Sequence, residues 1–371
     1  TGPAGPASGS RPPPFARPWT EIKLGSLDES DAITLLSQTL LAARETPPVA
    51  DSSAGFRPLR ELAVLAGGHP GALRRVAHEI GERGVEAALA LLRRLRSELL
   101  RQHGDDPQWP LYLSLELTLR QLPESDRGPL AVLAFFRQGA NRLALSYALA
   151  MDAPAINALV DRLIGLGLVE DQGYGHLRFD PALAHHLSKA LDASQQAVWR
   201  ERWRTGMTRF LAVIYPQYFK DGARTTRLLR LEWPNLLALL RDAQQSAAPE
   251  ALARLAGQLE QLLVGLGIPA ALAEVVAARE RAGQALLEWS RGRFETERLR
   301  IERLRDAGSL EDALQSARQL QFRAQVAGAD AYSGAAYDLA RIGFELGKLL
   351  KRAGDAEPAV RELEAARSQF Q

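Results

Sequence analysis

The sequence predicts a mostly α-helical protein in three successive parts, and three observations point that way. Apolar residues recur at three- and four-residue steps over most of the 371 positions, as in Leu89, Leu92, Leu95 and Leu99. One glycine-rich hairpin interrupts the helices: Leu168-Val169 and His176–Phe179 read as short strands bridged by Glu170–Gly175. The last stretch, Ala336–Phe370, places Leu346, Gly347, Leu350, Gly354, Ala359, Leu363 and Ala366 at the small/large spacing of a tetratricopeptide helix pair. The expected architecture is a four-helix domain, a winged-helix domain with a small β wing, and an α-solenoid of tetratricopeptide-like repeats. The boundaries read as a linker over 1–18, then 19–104, 105–191 and 192–371.

The bulk composition bounds what such a chain can do. Hydrophobic content of 46% with 24% charged residues fits a folded globular protein of two or three domains. A net charge of +2 leaves no global excess of positive charge for nucleic acid or membrane, so either partner would need a local patch. Lys occurs only at 23, 189, 220, 348 and 351, and the other cations are Arg, a bias that reads as GC-rich bacterial coding. Without Cys there is no disulfide, thiolate metal site or cysteine nucleophile, which suits the cytoplasm. No apolar run approaches the roughly 20 residues that span a bilayer, so no membrane partner is expected.

The elements follow in order. Residues Thr1–Pro18 are too rich in Pro, Gly and Ser for a regular element, and Trp19–Leu24 alternates as a short strand whose sheet is expected to lie upstream. Ser26 with Glu29 has capping-box spacing, followed by a helix with Ile33, Leu35, Leu36, Leu40 and Leu41 as its apolar face. Thr46–Gly55 reads as a loop, Leu59–Ala66 as a helix, and Gly67–Gly71 as a break before a helix over Ala72–Ile80. A longer helix runs from Val85 to Gln102. After Gly104–Pro110, helices are expected at Leu111–Leu122, from Pro123 through Phe136, at Asn141–Leu149 and at Ala153–Leu166, ahead of the hairpin.

From Ala193 onward the pattern is helical, with Pro234 expected in a first helical turn of Leu228–Ala243, where no amide hydrogen bond is needed. Gly308, Ala313 and Leu320 repeat the pattern of Gly354, Ala359 and Ala366 at a period longer than the usual ~34 residues. The array reaches the last residue without a polar capping helix, as expected for part of a longer array.

Catalytic patterns are missing. A P-loop needs Gly, four residues and Gly-Lys-Ser/Thr, and Gly347-Lys348 is followed by Leu349. No Gly-x-Ser-x-Gly occurs, and the adjacent His185 and His186 lie about 100° apart on a helix, unsuited to sharing one metal ion. A winged helix suggests DNA, read by the helix before the wing through Arg or Lys. Here that helix carries Arg162 as its sole cation, with Asp161 beside it, so a packing role is expected and DNA is not.

Four segments, in order, carry a resemblance to a known family. Leu24–Ala32 resembles the exit from the nucleotide-binding domain of STAND-class (NB-ARC-like) ATPases, and Gly67–Leu73 is similar to their Gly-Leu-Pro-Leu-Ala-Leu motif. Phe179-Asp180-Pro181 falls where the family carries Met-His-Asp or Phe-His-Pro, and Leu231–Leu236 resembles the Glu-x-x-Asn-Leu element that opens the repeat sensor of bacterial members. His69 and Gly71 replace two Leu, Asp180 replaces the His, and the P-loop is absent.

The resemblance implies the regulatory and sensor portion of a signalling ATPase, not itself an enzyme. His69, Pro70 and Asp180 would be cofactor-binding positions toward ADP or ATP only together with an upstream P-loop domain. In this chain alone no cofactor, catalytic residue or metal site is expected. The implied partners are a protein or peptide effector on the repeats, the P-loop domain, and further copies on activation. The local readings stand beside these: Gly67–Gly71 as a turn between helices and Asp180 as a helix N-cap. The alternatives are a winged-helix transcriptional regulator with a repeat effector domain, and a repeat scaffold with no nucleotide history.

Overall fold

The computed structural model describes residues 25–42 and 53–370, with side chains in the second stretch from Arg57 onward. The expected linker over 1–18, the strand Trp19–Leu24 and the first part of the expected loop, 46–52, lie outside the described residues. The fold is mostly α with one small sheet, as the sequence predicts. It divides into two compact units, Thr1–Leu119 and Arg120–Gln371.

The first unit contains helices α1 (Glu29–Ala42), α2 (Ser53–Leu65), α3 (Pro70–Arg83), α4 (Val85–His103) and α5 (Trp109–Leu119). The cap of α1 is Asp28, whose Oδ1 accepts from Asp31 N at 2.8 Å, and not Ser26 as the capping-box spacing suggests. Of its expected apolar face, Leu36 and Leu40 are buried while Leu41 is exposed. Helix α2 begins inside the expected loop and continues through Pro58. Helix α4 matches its periodicity, with Leu89, Leu92, Leu95 and Leu99 all buried. Helix α5, assigned by sequence to the next domain, packs on α3 and α4 and buries Tyr112, Leu113, Leu115 and Leu117, so the compact unit extends one helix beyond the glycine boundary.

The second unit opens with α6 (Glu124–Arg127), which passes into a 3₁₀ helix over Gly128–Phe135 instead of the expected continuous α-helix. Pro129 supplies the reason, because it has no amide to donate and its ring clashes with the carbonyl of a preceding α-turn. Strand β1 (Gly139–Asn141) follows, then α7 (Arg142–Leu149), α8 (Ala153–Gly165), β2 (Val169–Asp171), β3 (His176–Phe179) and α9 (Pro181–Lys189). The hairpin β2–β3 forms as predicted, and β1 adds to its other side: the order is β1-β3-β2, antiparallel throughout, with Ala140 opposite Leu177 and Glu170 opposite Arg178. Gly173, Tyr174 and Gly175 all adopt positive φ at the hairpin tip, a conformation that costs glycine little.

Eight helices complete the chain: α10 (Ala193–Lys220), α11 (Gly222–Ser246), α12 (Pro249–Val264), α13 (Pro269–Ala285), α14 (Arg291–Asp306), α15 (Leu310–Ala327), α16 (Ala335–Ala353) and α17 (Ala356–Phe370). Gly206 lets α10 lie directly on α7, since a Cβ there would stand 2.7 Å from the Ala148 Cβ. Pro234 falls inside α11 and not in its first turn, because the helix already begins at Gly222. An interior proline costs about 3 kcal/mol, offset by burial of Leu229, Leu236, Leu237 and Leu240 on the same helix. The last six helices form three pairs, α12/α13, α14/α15 and α16/α17. Each turn carries a positive-φ glycine, at Gly267, Gly308 and Gly354, and each second helix buries a small residue early, at Ala271, Ala313 and Ala359. The sequence pattern reveals the last two pairs and misses the first. At Gly347 a Cβ would lie 2.7 Å from the Leu363 Cγ, which explains the small residue at that crossing of α16 and α17.

Candidate functional site

The residues singled out by sequence fall at helix starts. Gly67 and Gly68, both at positive φ, turn the chain into α3. His69 is the N-cap of α3, with its Nδ1 accepting from Ala72 N at 3.3 Å, and Pro70 occupies the first turn. Burial holds the His69 imidazole below its ordinary value. Asp180, in the other compact unit, is the exposed N-cap of α9 and accepts from Ala182 N at 2.8 Å. The local turn chemistry at all three positions is therefore present. Among the described residues no three His, Cys, Asp or Glu come together as a metal site, and no single helix is long and apolar enough to cross a membrane.

Within the second unit, two polar groupings stand out, and the first joins the small sheet to α11. Glu232 and Asn235, the two polar residues of the Glu-x-x-Asn-Leu element, lie three positions apart and so share one helix face. Both are fully buried. His176 on β3 places Nδ1 2.5 Å from Glu232 Oε1, so a carboxylate at Glu232 requires the imidazole proton on Nδ1. Asn235 Nδ2 donates to Glu232 Oε2 and to Gly139 O on β1, each at 2.9 Å, and Asn235 Oδ1 accepts from Arg137 N at 2.6 Å. At the hairpin tip Arg227 Nη1 donates to the Tyr174 hydroxyl at 2.8 Å. Helix α11 thus holds both β1 and β3 through buried polar groups whose partners are all supplied internally. Gly139 is needed at this join, because a Cβ there would strike the Leu177 carbonyl and stand 2.5 Å from His176 Nε2.

The second grouping lines a cavity of about 580 Å³ formed by α10, α12, α14, the α15–α16 loop and α16. Tyr215 on α10 donates to Gln261 Oε1 on α12 at 2.5 Å. Glu250 accepts from Ser290 Oγ at 2.6 Å and from Gly292 N at 2.7 Å, closing the start of α14. Glu295 takes Arg341 Nη1 at 2.7 Å on one oxygen and Arg298 Nε at 2.8 Å on the other. Tyr332 donates to Asp338 Oδ2 at 3.1 Å. Burial and the neighbouring Asp338 push the Tyr332 phenol far up, and burial raises the Asp338 carboxyl. Gly257 opens the wall, leaving Leu299 as the nearest side chain.

Three arginines around the hairpin are paired with carboxylates. Arg162, the sole cation of α8, bonds Asp126 Oδ2 at 2.8 Å; Arg178, the sole cation of the hairpin, bonds Glu170 at 2.5 Å; and Arg142 bonds Asp171 at 2.7 Å. Sequence reasoning found the β2–β3 hairpin and the Glu232–Asn235 element but not β1, the His176 partnership or the cavity. The one signal available was a Glu and Asn three residues apart on an otherwise apolar helix face.

No protein-family model matches the chain, and no curated protein matches it. Among solved structures, the chain is similar to a signal transduction ATPase with numerous domains (STAND) that has a tetratricopeptide repeat sensor, from Pyrococcus horikoshii. The identity is 12% and the TM-score 0.30, covering 93% of this chain and 54% of that one. The chain therefore spans about half the length of that protein.

Proposed function

We propose that this chain is the regulatory and sensor portion of a STAND-type signalling ATPase. Its helical repeats bind a protein or peptide effector, and α11 passes the effect to the winged helix. The observation behind this reading is the buried join of Glu232, Asn235 and His176, which ties the opening element of the array to two strands of the small sheet. A buried, satisfied polar cluster has discrete bonded arrangements, so a shift of α11 must break or keep it as a unit. An effector that favours one arrangement biases the other partner, the condition for a population shift.

In the complete protein the P-loop domain would supply nucleotide chemistry, with ADP holding the closed state and release leading to homo-oligomerisation. His69, Pro70 and Asp180 would face that nucleotide through groups already serving as helix starts. This chain alone performs no catalysis in this reading. The single cation of α8, Arg162, bonded to Asp126, weighs against the DNA-binding alternative, since a reading helix needs several cations for phosphates and bases.

Calorimetric titration with ADP and ATP tests the proposal on this chain and on the complete protein side by side. Binding is expected only for the complete protein. Micromolar binding followed by turnover in this chain, or a complete protein that binds neither nucleotide, would overturn it.

A further inference from the structure

The cavity among α10, α12, α14 and α16 holds carboxylates that are already used and guanidinium groups that are not. Both oxygens of Glu250 are bonded within the α14 start, and both oxygens of Glu295 are bonded to Arg341 and Arg298. Arg254, exposed on the cavity wall, makes no hydrogen bond or ion pair among the described residues. Arg291 reaches only Asp338, at 3.7 Å, with its side chain 56% exposed. Arg254, Gln258 and Gln261 fall at i, i+4 and i+7 and form one donor stripe along α12. The Gln261 carbonyl oxygen is taken by Tyr215, and its amide group makes no other hydrogen bond among the described residues. Apart from the buried Asp338 Oδ1, which has no hydrogen-bond partner, the chemistry left over is donor chemistry, with two planar guanidinium forks that match a carboxylate. The apolar side, Ala253, Gly257 and Leu299, provides room for a methylene stem.

We infer that this cavity binds an acidic side chain of a peptide, received by Arg254 and Arg291 with Gln258 beside them. The inference rests on the reading of the repeats as an effector sensor and specifies the chemistry of that effector. A volume of about 580 Å³ suits one or two side chains and lies within the range of ordinary ligand sites.

Fluorescence anisotropy with a labelled hexaglutamate peptide, its hexaglutamine counterpart and inorganic phosphate tests it on the chain as it stands. Hexaglutamate is expected to bind, and to weaken as salt rises. Hexaglutamine is expected not to bind. Arg254→Gln and Arg291→Gln should each weaken hexaglutamate by about tenfold, while Arg281→Gln, on the exposed face of α13 outside the cavity, should leave it unchanged. Phosphate, matched in ionic strength with chloride, should not displace the peptide. Absence of hexaglutamate binding, equal binding of both peptides, or full affinity in the Arg254→Gln/Arg291→Gln double variant overturns the inference. Displacement by phosphate reassigns the cavity to free oxyanions and overturns it too. The nucleotide titration reads a different site, so its outcome separates failure of the switch reading from failure of this one.

Discussion

The join between the small sheet and α11 and the cavity in the repeats are both rich in polar side chains, yet they differ in how those groups are spent. At the join, Glu232, Asn235 and His176 are buried and bonded to one another and to strand backbone. In the cavity the acids are bonded but Arg254 is not, and Arg291 has only a long contact. Polar groups satisfied inside the fold fix a geometry, because breaking them exposes uncompensated groups. Polar donors left over on a concave wall have that free energy available for a ligand. Counting polar residues would rank the two regions alike; counting their remaining donors and acceptors separates them.

The strongest way to break this contrast lies in the array itself, where Arg279 on α13 is fully buried against Glu260 on α12 at 2.6 Å. Arg279 also donates to Thr296 O at 2.5 Å, and burial pulls its guanidinium below the ordinary value. If a guanidinium in the repeats is spent, removing its partner should be costly. Glu260→Ala is expected to lower stability by about 3–5 kcal/mol, since it leaves a buried charge unpaired. Glu260→Leu with Arg279→Met should recover most of that loss. Urea unfolding of the three proteins checks both statements, and a single variant within 1 kcal/mol of the parent would place Arg279 among the unspent cations.

A smaller effect is expected at the join. Asn235→Ala strands the Gly139 carbonyl, the Arg137 amide and one oxygen of Glu232. The loss should be about 1–3 kcal/mol, the usual cost of leaving buried polar groups unsatisfied. Hexaglutamate affinity should stay at the parent value, because Asn235 does not line the cavity. A parallel loss of affinity in the folded variant would show that the two regions are not independent in the way their bonding suggests.

How much of this was legible in sequence follows the range of the forces involved. Local signals held: the α4 stripe from Leu89 to Leu99, the glycine hairpin, and the Gly347 and Gly354 pattern all follow from nearest-turn geometry. Strand β1 did not show, because three residues carry no periodicity and their partner, β3, lies more than thirty positions away. The proline at 234 misled, since its tolerated place inside α11 depends on tertiary burial and not on local propensity. Asp180, His69 and Pro70 stand at helix starts, which is what their sequence context encodes locally. The cavity was invisible for a different reason: Arg254 and Arg291 lie on separate helices, and only the stacking of helix pairs brings α12 and α14 to one wall.

The least costly test concerns Asp338, the long contact of Arg291. The Asp338 carboxyl is buried, and burial together with Glu295 raises its pKa, against the opposing pull of the Tyr332 hydrogen bond, Arg291 and Arg341. A raised value means that the native state holds this proton more tightly than the unfolded chain. Native stability then falls as pH rises from the ordinary carboxylate range through the raised value, and the deficit persists above it. Asp338→Asn removes the titration while keeping an acceptor for Tyr332, so its stability relative to the parent should improve as pH rises above the ordinary carboxylate range. Were the Tyr332, Arg291 and Arg341 contacts to outweigh burial and Glu295, the carboxyl would be lowered, and the same variant would lose ground as pH rose. Thermal melts of parent and variant across that range read the sign directly: a gap that widens in favour of Asn means that burial and Glu295 outweigh the long Arg291 contact, and one that widens in favour of Asp means that the hydrogen bond and arginine contacts dominate.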